Sequence, residues 1–73
     1  MLSKADVERI KALAGKGDRG SITPQEKGEL RQLLAQFSPQ AQDLAWPDLL
    51  HASFVFLGLY AVAEIAHVAA EAS

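Results

Sequence analysis

From Leu44 to Ser73 the sequence contains no lysine and no arginine, and between Ala52 and Ala63 no ionisable side chain other than Tyr60. This cation-free stretch constrains the fold more than any other feature. Leu49–Ala70 holds 22 residues, roughly 33 Å of helix at 1.5 Å per residue, which is enough to cross a bilayer. Asp48 to Ala70 therefore reads as one long apolar helix that must be buried, either in a membrane or among partner helices.

The front of the chain has the opposite character. All seven cations (Lys4, Arg9, Lys11, Lys16, Arg19, Lys27, Arg31) fall in the first 31 positions. Residues 1–43 carry a formal +1 and residues 44–73 carry −3, for a net charge of −2, so nucleic acid is not an expected partner. There is no cysteine, which removes disulfides and thiolate metal sites. A chain of 73 residues makes one domain at most, and at this size a partner usually supplements the core.

Local signals divide the charged front half into helices. Ser3 is a plausible N-cap for a helix over residues 4–14, with Asp6 and Glu8 in its first turns where the dipole favours anions. Val7, Ile10, Leu13 and Ala14 give it one apolar face. Gly15, Gly17 and Gly20 are expected to end it. Thr23-Pro24-Gln25-Glu26 has the form of a capping box with proline at the first helical position. It opens a helix over 24–37 with Leu30, Leu33, Leu34 and Phe37 inward. Ser38-Pro39 starts a short third turn through Ala45, and Trp46-Pro47 separates it from the long helix. The expected fold is all-α: a short N-terminal helix–loop–helix head (1–45) followed by one long C-terminal apolar helix (46–73).

The twelve residues Gly15–Glu26 resemble the calcium loop of the EF-hand family, with glycine sixth, isoleucine eighth and glutamate last. That family also places oxygen ligands first, third and fifth. Here those positions are Gly15, Gly17 and Arg19, so calcium binding is not expected and no cofactor is assigned.

The long helix is not uniformly apolar. At 100° per residue, Ser53, Tyr60, Glu64, His67 and Glu71 fall within about 60° of arc, a heptad-like polar stripe. Phe54, Leu57, Leu59, Val62 and Ile65 are the residues expected to be buried against a partner. Ten Leu, Ile, Val and Phe side chains between Leu49 and Ala70 favour insertion by roughly 3–6 kcal/mol, whereas one central carboxylate opposes it by about 2.5–3.5 kcal/mol. With His51, His67, Ser53 and Gly58 also opposing, a lone helix inserts only marginally. In a bundle, the stripe would face other helices or line a wet path.

Two narrower patterns share this helix. Glu64-x-x-His67 resembles the spacing of ferritin-like di-iron proteins, implying Glu64 and His67 as metal ligands with Glu26 or Glu29 supplied on dimerisation. Val55–Ala63 and Ile65-Ala66-His67 resemble fragments of purple-bacterial light-harvesting β polypeptides, which implies His67 as a bacteriochlorophyll ligand. The tryptophan that family carries beyond its histidine has no counterpart in Val68–Ser73.

No nucleophile–base set or phosphate-binding loop is present, so the chain reads as non-catalytic. The leading expectation is a structural or interaction subunit whose apolar helix assembles with other helices. Its membrane form is a membrane-associated, holin-like or pore-forming homo-oligomer with a cytoplasmic N-terminus by the positive-inside bias. The alternative is a soluble accessory subunit of a larger particle, a virion or multisubunit complex, cytoplasmic or particle-bound.

Overall fold

The computed structural model describes residues 3–72, with side-chain surroundings as far as Ala66. The described residues form three α-helices, α1 (Lys4–Asp18), α2 (Pro24–Phe37) and α3 (Trp46–Ala72), with a 3-10 turn over Pro39–Asp43 between the last two. The expected all-α architecture is the one observed.

Both early helices start where their capping residues dictate. Ser3 Oγ accepts from the Asp6 N–H at 3.1 Å while the Asp6 carboxylate accepts from the Ser3 N–H at 3.2 Å. Thr23 and Glu26 repeat the exchange at 3.1 and 3.0 Å. Each box satisfies two N–H groups that the helix itself leaves unpaired.

α1 is longer than the sequence suggested. Gly15 and Gly17 do not end it; they lie in its last turn. The stop comes at Gly20, at φ 73°. Its N–H donates to Gly17 O at 3.2 Å, and the Ser21 N–H donates to Lys16 O at 2.9 Å, a Schellman closure that needs a left-handed residue. Gly17 has a packing reason to be glycine. A Cβ there would sit 2.9 Å from Leu50 Cδ1 and 3.0 Å from Trp46 Cζ2. The twelve-residue stretch Gly15–Glu26 is thus mostly helix, and Glu26 is engaged by Thr23 and Lys16 rather than aimed at a cation site.

Trp46-Pro47 does not separate α3 from what precedes it, but forms its first turn, where proline loses no helical hydrogen bond. Ala45 O accepts the Leu49 N–H at 2.8 Å. The Trp46 ring lies between Gly17 and Lys27, whose Nζ is 4.8 Å from the ring centroid.

Val7, Ile10, Leu13 and Ala14 of α1 meet Leu30 and Leu34 of α2, Ala41 of the 3-10 turn, and Leu49 and Phe56 of α3. Leu33 is half-buried. Phe37, expected inward, is 56% exposed and packs one ring edge on Phe56 at 4.7 Å between centroids. Two ion pairs tie α1 to α2. Arg9 donates to Glu29 through Nε at 2.7 Å and Nη2 at 2.9 Å, and Lys16 pairs with Glu26. α1 runs antiparallel to α3, its end against Trp46 and Leu50 and its first turns beside Tyr60 and Glu64. The molecule measures 45 × 24 × 19 Å. Its long dimension is α3, whose 27 residues span about 40 Å.

Candidate functional site

The two sides of α3 differ in what they touch. Leu49, Ser53, Phe56 and Tyr60 share about 60° of arc, and this is the side that meets the head. Leu49 and Ser53 are fully buried, Phe56 nearly so, and Tyr60 half-buried with its ring 6.3 Å from that of Phe56. Ser53 Oγ donates to Leu49 O at 2.9 Å, so its hydroxyl is satisfied within its own helix and adds no polar cost to the core.

The polar stripe and the docking face therefore lie on one meridian. Ser53 and Tyr60, expected to meet a partner or a wet path, pack inside the chain. Glu64, one turn beyond Tyr60, is exposed. The side chains of His67 and Glu71 lie outside the described residues. The meridian is covered as far as Tyr60 and turns acidic past it.

The opposite side carries the apolar residues. Of the five expected to be buried, Leu57 alone packs against the head core. Phe54, Leu59, Val62 and Ile65 are 43, 59, 65 and 69% exposed, with Val55 beside them. The physical reason is geometric. α1 and α2 occupy the Leu49–Ser53–Phe56 side, and two short helices cannot also wrap the back. The exposed band extends sideways onto Phe37 through an apolar groove between α2 and α3, floored by Leu34, Ala41, Ala52 and Phe56. Gly58 sits in the middle of the band with open space where a Cβ would be. Sequence periodicity found this band but missed Leu49 and Phe56 as core. Their signal was present, since both flank Ser53 on the same meridian.

The titratable groups of the head are structural in character. The Lys16 ammonium and the Thr23 N–H hold the Glu26 carboxyl at about 2. The Arg9 guanidinium lowers Glu29 and is itself raised by it. Glu26 and Glu29, either of which was expected to complete a metal site with Glu64 and His67, are thus both engaged by cations. Among the described residues no three His, Cys, Asp or Glu side chains converge on a common point.

Trp46–Ala66 is long and apolar enough to cross a membrane. In the docked arrangement, however, α1 lies along this same segment and brings Glu8, Lys11, Lys16 and Arg19 beside it. Only the part beyond Glu64 is clear of the head, roughly 12 Å of helix against a hydrocarbon core of about 30 Å. The docked head therefore occupies the segment whose length and apolarity would suit a membrane.

No family model matches the chain, and no curated protein or solved structure is detectably similar to it.

Proposed function

We propose that the chain is a non-catalytic interaction or structural subunit that assembles with other helices through the back of α3. One observation carries this reading. A continuous band of large apolar side chains, Phe54, Val55, Leu59, Val62 and Ile65, is exposed on a helix that has no cation. Contiguous apolar surface of this kind marks interaction sites on small proteins. With the head docked, the assembly is a soluble one, and the charged outer surface of α1 and α2 faces water. Sedimentation of the full chain tests it. Concentration-dependent association that is lost in a Leu59→Asp/Val62→Asp variant of unchanged helicity supports the reading. A monomer at every concentration, in water and with vesicles, overturns it.

A second reading is favoured by the length and apolarity of Trp46–Ala66. In it α3 leaves the head and spans a membrane, alone or as a pore-like oligomer, with the stripe Ser53, Tyr60, Glu64, His67 and Glu71 turned inward and the N-terminus cytoplasmic. This state exposes Ile10, Leu13, Leu30 and Leu34, which α3 otherwise covers. Recovery in carbonate-resistant membranes would support the spanning state, and complete release by carbonate would exclude it.

A further inference from the structure

Independently of the back of α3, we propose that the groove between α1 and α3 is a docking site for an amphipathic helix of about three turns, lying parallel to α1 with a basic first turn at Glu8 and Glu64 and an acidic last turn at Lys11 and Arg19.

The groove exists because small residues face each other across it. Ala12 and Gly15 of α1 and Ala61 of α3 leave the space between the two helices unfilled, and Phe54 and Leu57 give it an apolar wall. The trough holds about 800 Å³. It runs roughly 15 Å along α3, from Phe54 to Glu64, and roughly 18 Å along α1, from Val7 to Arg19, the length of about three helical turns.

Charge is sorted along the trough because α1 and α3 are antiparallel. Glu8 and Glu64 stand at one end, where the charges of both act on Tyr60. Lys11, Lys16 and Arg19 follow along α1 towards the other end. Lys16 is paired with Glu26, whereas Lys11 and Arg19 make no ion pair among the described residues. Arg19 Nη1 lies 3.3 Å from where a Gly15 Cβ would be, so this unpaired guanidinium lies over the floor of the trough.

A helix is complementary to both ends. Its positive N-terminus suits the two carboxylates and its negative C-terminus suits Arg19, which sets its direction parallel to α1. A cationic side chain in its first turn and a carboxylate in its last turn extend the match. Apolar side chains at helical spacing would rest on Phe54 and Leu57, the usual mode of a helix in a groove. A fatty acid would satisfy Lys11 and Arg19 but lay its tail against Glu8 and Glu64. The long helix of a second copy has no lysine or arginine to offer those carboxylates.

Fluorescence anisotropy with two labelled three-turn peptides tests the assignment on the full chain. Both present the same leucine face. One carries lysines in its first turn and glutamates in its last, and the other has the reverse order. Free in water the reversed peptide is the better helix, so a preference for the first must come from the groove. The first is expected to bind about tenfold more tightly than the second. Lys11→Glu/Arg19→Glu, at two exposed positions, is expected to invert that preference with unchanged helicity, and Lys11→Glu alone to shrink it. Ala12→Phe, which fills the trough from another exposed position, is expected to weaken both peptides, while Leu59→Asp/Val62→Asp leaves them unchanged. Equal binding of the two peptides, or no binding of either, overturns the groove; association through the back of α3 is judged by sedimentation and can stand without it. Binding that survives Ala12→Phe but is lost in Leu59→Asp/Val62→Asp places the peptide on the back of α3 and also overturns the groove. Dodecanoate binding that is lost in Arg19→Glu, with neither peptide bound, overturns the helix in favour of a single-chain anion.

Discussion

Arg31 donates from Nη1 to the carbonyl oxygen of Leu44 at 2.6 Å and to that of Ala41 at 3.0 Å. Leu44 lies between the 3-10 turn and α3, while the Ala41 carbonyl, within the turn, also accepts the Leu44 N–H at 3.4 Å. One guanidinium from the middle of α2 therefore fixes the direction in which the long helix leaves the head. Arg31→Met keeps the apolar stem and removes the donors. A charged hydrogen bond to a part-buried acceptor contributes about 1.5–3 kcal/mol, so the variant is expected to lose stability of that order. The readout is a lower urea midpoint at an unchanged slope. An unchanged midpoint would mean that water serves these carbonyls equally well.

Two helical glycines should respond in opposite directions. Gly17 sits under Trp46 and Leu50, and a larger side chain must push α1 away from α3. Gly17→Leu is expected to destabilise by about 1–3 kcal/mol, the usual cost of overpacking. Gly28 has nothing within 4 Å of its Cβ position and is exposed. Gly28→Ala is expected to stabilise by about 0.5–1 kcal/mol through helix propensity. Thermal unfolding followed by circular dichroism separates the two, and equal signs would contradict the contact at Gly17.

These glycines also show what was legible in the sequence. The starts of α1 and α2 were readable because Ser3 and Thr23 act on residues three positions away. The end of α1 was not, because Gly15 and Gly17 have the composition of a loop, while Gly17 packs under Trp46 and Leu50, about thirty positions on. The same limit applies to α3. Its periodicity put Ser53, Tyr60 and Glu64 on one meridian but passed over Leu49 and Phe56, which share that meridian and form the core. Which side docks depends on the sizes of Leu49 and Phe56 fitting between Ile10, Leu13, Leu30 and Leu34, and no local pattern contains that information.

Acid should loosen the join between α1 and α2. Glu26 titrates at about 2 in the folded chain against an ordinary value of 4.5, so folding favours its charged form. Its stabilising contribution is complete above about pH 4.5 and is lost as the pH falls from there towards 2. Glu29, lowered by Arg9, acts in the same direction. Glu26→Gln is expected to be less stable than the parent at pH 7 and to converge with it near pH 2. Because Lys16 is 40% exposed, added salt should shrink the difference at neutral pH. Denaturation curves across this range test it, and a gap that widens on acidification would contradict the pairing.

A pair of aspartate substitutions asks which side of α3 faces the head. Ser53 is fully buried between α1 and α2, so Ser53→Asp forces a carboxylate into an apolar site with no cation within the core. The cost of such burial reaches several kcal/mol unless the group protonates or the helix undocks. Val62 is 65% exposed, and Val62→Asp leaves the core of the single chain untouched. The expected result is loss of the folded head in Ser53→Asp, seen as a collapsed denaturation midpoint, whereas Val62→Asp keeps its fold and loses self-association in the centrifuge. If Ser53 and the acidic residues beyond it formed one solvent-facing or pore-lining stripe, the order would reverse. Ser53→Asp would then be tolerated, and Val62→Asp would be the variant that fails to fold or insert.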